Sequence, residues 1–341
     1  MVELIVSFLF DEISFFNLFS YLSTRTILST LTSLLLVLIF GEGFIRLISS
    51  FQFNQTFDGR APERHMVKHG TPTMGGILIV SSVLISGILW GNLFDKYLIL
   101  GLICIVGFAI IGFIDDYKKV KIESSKGLSS IEKIFFQSIL AGVISISLFM
   151  LAVDKNELIY IVPFFKNVAL DLGIFFIFIS IFIIVGSSNA VNLTDGLDGL
   201  AILPVIIITS ALGIIAWAAG NVIASDYLYI PYVEGTGELL VLCGALIGAG
   251  IGFLWFNTYP AQIFMGDVGS LSMGAFIAYI AIVVRHEIVF AVMSAVFVME
   301  ALSVIIQVGS FKIRKKRVFK MAPIHPVSYT HLRAHETRHH R

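Results

Sequence analysis

Three short polar segments in an otherwise apolar sequence carry carboxylates at spacings that suit phosphate chemistry. They are "IGFIDDYKK" (111–119), "SSNAVNLTDGLDGL" (187–200) and "FNTYPAQIFMGDVGS" (256–270). Proteins usually hold Mg²⁺ with one or two carboxylates together with the phosphates of a substrate. The segments therefore predict a magnesium–phosphate site. The sequence contains no G-x-x-x-x-G-K-[ST] motif, which argues against an ATPase of the P-loop class.

The first segment places Asp115 and Asp116 at the end of an apolar run, with Lys118 and Lys119 directly after them. Carboxylates at membrane depth are costly and usually functional. Adjacent carboxylates can hold a hard cation, and the lysines can gather phosphates beside it. The alternative is a solvated helix end with an acidic and a basic flank.

The second segment supplies Asn192, Asp195 and Asp198 within seven residues, with Gly196 and Gly199 among them. Asp-Gly pairs are common in turns, so a tight loop between two helices is the alternative reading. A tight loop accounts for the glycines better than for two aspartates and an asparagine. The spacing of these residues does not fit an EF-hand.

The third segment places Asp267 between two glycines, just before another apolar run. Its carboxylate can bind a cation or, alternatively, cap the N-terminus of the following helix. Upstream, Asn257, Tyr259 and Phe264 offer an amide and aromatic faces that suit a nucleotide base.

A fourth polar segment, "KHGTPTMGG" (68–76), has Thr71 and Thr73 ahead of a predicted helix start. Backbone N–H groups at such a start favour anions. We therefore expect phosphate binding near this segment.

The elements that must position these segments are membrane helices. The chain has 341 residues, of which 57% are hydrophobic and only 13% are charged, whereas soluble domains carry roughly 25% charged residues. Cys104 and Cys243 fall inside apolar runs and are expected to be buried rather than paired or metal-bound. Nine apolar runs predict spans at about 27–48, 74–93, 97–114, 131–153, 173–191, 200–219, 237–256, 268–285 and 288–309.

Charge in the loops predicts the orientation of these spans. With the N-terminus outside, the inner segments up to residue 325 carry thirteen Lys and Arg and the outer segments carry five. The excess of positive charge marks the cytoplasmic side, so all four polar segments are predicted to face the cytoplasm. The net charge is zero, so no nucleic-acid partner is expected. In the outer loops, the alternation in "ELIYIVPFF" suggests a small hairpin.

The C-terminal residues 326–341, "PVSYTHLRAHETRHHR", differ in composition from everything before them. They contain "HETRH" (335–339), a formal match to the H-E-x-x-H zinc motif, but no helix is predicted there and no third ligand is evident. We expect residues 1–325 to form a membrane domain. We expect residues 326–341 to be a foreign tail with only incidental affinity for metal ions.

Five segments, taken in order, resemble the polyprenyl-phosphate hexose-1-phosphate transferase superfamily. They are "GTPTMGG", "IGFIDDYKK", "NAVNLTDGLDGLA", "GFLWFNTYPAQIFMGDVGSL" and "SVIIQVGSFKIRKKRVFKMAPIH". Within it they are most similar to the phospho-N-acetylmuramoyl-pentapeptide transferases. The resemblance runs from about residue 20 to 325. It implies an all-α polytopic bundle of ten helices, of which nine are predicted here, in the bacterial inner membrane.

The resemblance also implies a reaction, in which phospho-MurNAc-pentapeptide passes from UDP-MurNAc-pentapeptide to undecaprenyl phosphate, giving lipid I and UMP. Asp267 would be the principal Mg²⁺ ligand, near Asp115 and Asp116. Asp115 would be either the base for the lipid phosphate or the nucleophile of a two-step route. His325 would complete the catalytic set, although the chain departs from the family directly after it.

The implied substrate-binding residues surround the UDP moiety, with Phe264 available to stack on uracil and Lys133 available to a lipid phosphate. They are Lys68, Thr73, Lys133, Asn192, Asp195, Gly196, Leu197, Asp198, Asn257 and Phe264. Membrane lipid and a second copy of the chain, as a homodimer, are the other candidate partners.

Two other functions fit the sequence. One is a sister transferase that uses UDP-N-acetylglucosamine with the same lipid phosphate. The other is an ion-coupled transporter, in which Glu300 in the last predicted span and the aspartates would form an ion path. The acidic segments lie on one face rather than across the membrane, which favours an enzyme. Glu300 is then a hydrogen-bonded residue of the bundle.

Overall fold

Long apolar helices dominate the computed structural model, which describes residues 14–50, 71–121, 127–152, 158–162, 169–196, 198–319 and 322–323. The helices in these residues are α1 (Leu22–Ser50), α2 (Gly76–Trp90), α3 (Lys96–Lys121), α4 (Ser130–Leu151), α5 (Phe175–Thr194), α6 (Ile202–Ala219), α7 (Val222–Leu228), α8 (Leu239–Asn257), α9 (Gly266–Val283), α10 (Glu287–Met293) and α11 (Ala295–Arg314). Eight of them are long and apolar enough to cross a membrane. The chain is therefore an all-α polytopic membrane protein, as predicted.

The predicted span at 74–93 is the short helix α2, which has only 15 residues. At 1.5 Å per residue it is about 22 Å long, less than the ~30 Å of a hydrocarbon core. It begins late because the preceding residues pair with the chain before α9. Gly75 N–H donates to Phe264 O (2.9 Å), and Phe264 N–H donates to Pro72 O (2.9 Å).

The ninth predicted span is divided into α10 and α11, so the prediction of one continuous helix at 288–309 is wrong. Ser294 lies between them, and its Oγ donates to Phe290 O at 2.6 Å. A serine hydroxyl that bonds to the carbonyl one turn back often bends a helix, and this one lies at the interruption.

The connections that the charge pattern predicts to lie outside contain more structure than ordinary loops. The predicted hairpin is confirmed by the strands β1 (Ile159–Ile161) and β2 (Ala169–Asp171), which pair antiparallel with Tyr160 opposite Leu170. The connection at 220–236 includes the short helix α7, which Asn221 caps by accepting from Ile223 N–H and Ala224 N–H. Cys104 and Cys243 are buried and free, as predicted.

Helix α9 lies at the centre of the bundle and is buried at every residue. It packs against α2, α3, α5 and α6. Small residues allow these close approaches: Gly76 of α2 meets Gly269, and Gly112 of α3 meets the backbone of Asp267. The Ser188 hydroxyl of α5 donates to Leu271 O at 3.0 Å. The N-terminus of α9 is thereby fixed among its neighbours.

We predict that Gly76→Ala destabilises the protein, because the added Cβ would overlap the backbone of Gly269. Overpacking of this kind costs about 1–3 kcal/mol, so thermal unfolding in detergent should shift several degrees downward. Gly186→Ala in α5 is the matched control, since nothing lies within 4 Å of its Cβ position. Equal unfolding temperatures for the two variants would contradict the close helix contact.

Candidate active site

Three carboxylates from two helices meet at one end of the bundle. Asp115 and Asp116 lie near the C-terminal end of α3, and Asp267 is the second residue of α9. All three are buried, and one oxygen from each lies within 4.8 Å of the others. A cluster of hard oxygen donors at this separation fits a divalent cation such as Mg²⁺. The structure thus brings together the three residues that the sequence predicts as metal ligands.

Two lysines lie against the carboxylates. Lys119 Nζ is 2.7 Å from Asp115 Oδ2, 3.6 Å from Asp116 Oδ1 and 2.9 Å from Asp267 Oδ2. Lys133 Nζ is 2.7 Å from Asp267 Oδ2 and 3.6 Å from Asp115 Oδ2. The cluster holds one more carboxylate than ammonium groups, and hard oxygen donors of this kind can accept a divalent cation. The lysines supply positive charge for phosphate oxygens next to it.

The carboxylates are also oriented by neutral donors. Asn192 Nδ2 donates to Asp267 Oδ1 at 2.7 Å and contacts Ser270 Oγ at 2.8 Å. Leu128 N–H donates to Asp115 Oδ1 at 2.6 Å. Asp267 is therefore bound through Oδ1 by α5 and through Oδ2 by lysines of α3 and α4, so four helices determine its position.

The N-terminus of α9 is capped by acidic residues from other helices. Asp116 Oδ2 accepts from Asp267 N–H (2.9 Å) and Val268 N–H (3.3 Å), and Asp195 Oδ2 accepts from Gly266 N–H (3.0 Å). These bonds satisfy backbone donors that a helix start leaves unpaired. Asp267 is not the cap, so that alternative reading of its position is wrong, and its carboxylate remains available to the cluster.

Asp195 follows α5 directly. Removal from water raises the pKa of its carboxyl group to about 7; Asp267 and Asp116 act in the same direction, whereas the bond from Gly266 N–H acts against them. A carboxyl group with this pKa carries less negative charge near pH 7 than an ordinary aspartate does.

At the start of α2 two backbone N–H groups are already used within the protein, so anion binding by this segment stays a prediction. Gly75 N–H and Gly76 N–H donate to Phe264 O and Met265 O. Thr73 lies beside Gly266, at the edge of the carboxylate cluster, and its residue surface is only 9% exposed. This segment positions α2 against α9.

Among the residues predicted to surround the nucleotide, Asn257 at the end of α8 and Asp198 in the turn after α5 connect two neighbouring segments. Asn257 joins the segments, since its Oδ1 accepts from Gly199 N–H (3.0 Å) and its Nδ2 donates to Ile263 O (2.8 Å). Asp198 Oδ2 accepts from Ala261 N–H at 3.4 Å. The turn after α5 and the chain after α8 are thus adjacent, and the hydrogen bonds of Asn257 connect them.

The aromatic residues of these segments differ in exposure. Phe264, the residue predicted to stack on uracil, is buried with 1% exposure, whereas Tyr259 is 58% exposed. Stacking by Phe264 stays a prediction, and it requires movement of the loop at 257–265. Gly196 lies in the loop after α5, where its N–H donates to Thr194 O. Lys68, Leu197, His325 and the tail at 326–341 lie outside the described residues.

Two side chains of the site are not among the residues predicted for the carboxylate cluster. Lys119 is predicted only to gather phosphates beside the cluster, although its spacing of four residues from Asp115 places both on one face of α3. Ser270 follows Asp267 by three residues, a spacing that places both side chains on one face of α9. The Ser270 hydroxyl accepts a hydrogen bond from Asn192 Nδ2.

We predict that Lys119→Met strengthens divalent-cation binding, because Lys119 Nζ occupies the same carboxylate oxygens as a cation would. The Lys119 side chain is 35% exposed. Allowing for that screening, we expect roughly 10-fold tighter Mn²⁺ binding, about 1.4 kcal/mol, by titration in detergent. Lys118→Met removes the same charge outside the cluster and is the control. Weaker Mn²⁺ binding by Lys119→Met would contradict this placement.

Comparison with known protein families agrees with the site geometry. The model of glycosyl transferase family 4 matches residues 98–285, more than half of the chain, from the start of α3 to the end of α9. The phospho-N-acetylmuramoyl-pentapeptide-transferase signature 1 matches residues 68–80, at the start of α2. The chain therefore belongs to glycosyl transferase family 4, as a phospho-sugar transferase of the MraY type.

Proposed function

We propose that the protein transfers phospho-N-acetylmuramoyl-pentapeptide from UDP-MurNAc-pentapeptide to undecaprenyl phosphate, giving lipid I and UMP. The main support is the cluster of Asp115, Asp116 and Asp267 with two lysines, in a chain that carries the signature of these transferases. An oxygen of the lipid phosphate attacks the sugar-bound phosphorus of the donor. The P–O bond to UMP breaks, and UMP leaves with the electron pair.

Phosphoryl transfer depends on positioning and charge neutralisation more than on covalent chemistry by the protein. Mg²⁺ held by Asp267 with Asp115 and Asp116 would neutralise the diphosphate of the donor. Lys119 and Lys133 are within reach of oxygens on the same phosphates, and Asn192 keeps the Asp267 carboxylate aimed at the cluster.

Asp115 is the residue for which the sequence leaves two roles open. Its Oδ1 accepts from Leu128 N–H, and its Oδ2 contacts Lys119 Nζ. A phosphate monoester has a second pKa of about 6, so the acceptor is largely dianionic at pH 7 and needs little help from a base. We therefore assign Asp115 to cation binding and orientation in a direct, one-step transfer.

The proposal places the site at the cytoplasmic face of the bacterial inner membrane. The loops at the site end of the helices carry most of the Lys and Arg residues, which is the pattern of cytoplasmic loops. A site at this boundary can reach a water-soluble nucleotide donor and a membrane-bound acceptor together.

Neither alternative function has comparable support. A UDP-N-acetylglucosamine transferase would use the same cluster, but the matched signature names the muramoyl-pentapeptide enzymes. For a transporter, acidic groups should continue across the bundle. Glu300 of α11 is buried away from the cluster, on a helix whose Ser303 hydroxyl donates to Glu300 O.

We predict UMP release in detergent from undecaprenyl phosphate, Mg²⁺ and UDP-MurNAc-pentapeptide, with little release from UDP-N-acetylglucosamine. Asp267→Asn should lower the rate at least 100-fold, because it removes the charge that holds the cation. Asp226→Asn, an exposed position in α7, is the control. The chain is assayed as written and with a family-type C-terminus in place of residues 326–341.

The same assay in sealed vesicles tests the orientation. Donor added outside should be consumed by inside-out vesicles and not by right-side-out vesicles. Release from UDP-N-acetylglucosamine alone would assign the sister activity. No release from either donor by either folded chain, or full activity of Asp267→Asn, would contradict the proposal.

A further inference from the structure

Gln137 of α4 and Asn189 of α5 form a polar pair inside the membrane bundle. Asn189 Nδ2 donates to Gln137 Oε1 at 2.6 Å and to Val185 O at 2.8 Å. Gln137 is completely buried, and its Nε2 has no hydrogen-bond partner. A buried donor without a partner costs about 1–3 kcal/mol, so stability alone does not account for an amide at this position.

The pair lies one helical turn from the carboxylate cluster on both helices. Lys133 precedes Gln137 by four residues, and Asn192 follows Asn189 by three, so each pair shares one face of its helix. Lys133 Nζ and Asn192 Nδ2 each lie 2.7 Å from an oxygen of Asp267, the first from Oδ2 and the second from Oδ1. The helices α4 and α5 thus meet twice: at Asp267, and again through the two amides.

We propose that Gln137 and Asn189 are positioning residues for the transfer reaction. Their hydrogen bond fixes the rotation and the axial position of α4 against α5. With both helices set, Lys133 and Asn192 reach opposite oxygens of Asp267 at the same time. Fixing the register between helices is the best-attested use of a buried polar pair.

The inference rests on the proposed function only in taking Asp267 as a cation ligand. It assigns Gln137 and Asn189 no contact with substrate. Residues that orient a metal ligand from behind typically change metal affinity or activity 10–100-fold when they are replaced. Cation binding is therefore the direct readout, and it needs no substrate.

The test compares an apolar pair with an exchanged pair. Gln137→Leu with Asn189→Leu removes the hydrogen bond but fills the space, so thermal unfolding should stay near that of the original chain. Mn²⁺ binding in detergent should weaken about 10-fold, and the Mg²⁺ concentration for half-maximal UMP release should rise by a similar factor. Gln137→Asn with Asn189→Gln keeps both amides and the total side-chain length, and should recover most of the lost affinity.

Ser145→Ala is the matched control, because Ser145 lies on the same face of α4 two turns farther on, is buried, and has a hydroxyl without a partner. It should leave Mn²⁺ binding unchanged. Unchanged Mn²⁺ affinity in the apolar pair, or no recovery in the exchanged pair, would overturn the positioning role. Absence of UMP release with the expected Mn²⁺ pattern would refute only the proposed reaction.

Discussion

A single buried carboxylate, that of Asp267, connects the packing of the bundle to its chemistry. Placing a charge inside a membrane protein is costly unless it is paired and hydrogen-bonded. Here Asn192 contacts one oxygen, and Lys119 and Lys133 contact the other. Each partner comes from a different helix, so the arrangement exists only when α3, α4 and α5 converge on the N-terminus of α9. Small residues, such as Gly112 beside the Asp267 backbone, allow that convergence.

The acidic residues at this end of the bundle perform different tasks. Asp116 and Asp195 accept from the first backbone N–H groups of α9, where the helix dipole favours negative charge. Asp115 and Asp267 direct their carboxylates toward the lysines instead. Asp116 does both, since its second oxygen faces Lys119. A site built in this way holds its cation ligands on helices rather than on loops, which favours fixed geometry.

Much of this arrangement could be predicted from the sequence. The apolar runs predict the helices and the Asp-rich segments predict a cation–phosphate site, while the family resemblance implies which three carboxylates form it. The late start of α2 could not be predicted, because it depends on hydrogen bonds between the residues before it and the chain before α9. The capping of α9 by Asp116 and Asp195 was missed for a similar reason. Capping usually comes from the residue before the helix, and here it comes from two distant helices.

The packing around the predicted nucleotide site also could not be predicted from local sequence patterns. The family resemblance implies the residues around UDP, and hydrogen bonds of Asn257 and Asp198 connect two of the segments that carry them. The buried ring of Phe264 and the bracing bonds of Asn257 depend on how those segments pack, which no local pattern specifies. Family membership identifies a phospho-sugar transferase, while the donor and the acceptor remain proposals.

We propose that Asp267 and its neighbours hold a divalent cation which the diphosphate of the donor shares. This proposal is tested by ³¹P electron–nuclear double resonance of Mn²⁺ bound to the protein with UDP-MurNAc-pentapeptide. We expect coupling to phosphorus that requires the folded protein and disappears in Asp267→Asn. Protein-bound Mn²⁺ without phosphorus coupling, or coupling that persists in Asp267→Asn, would contradict it.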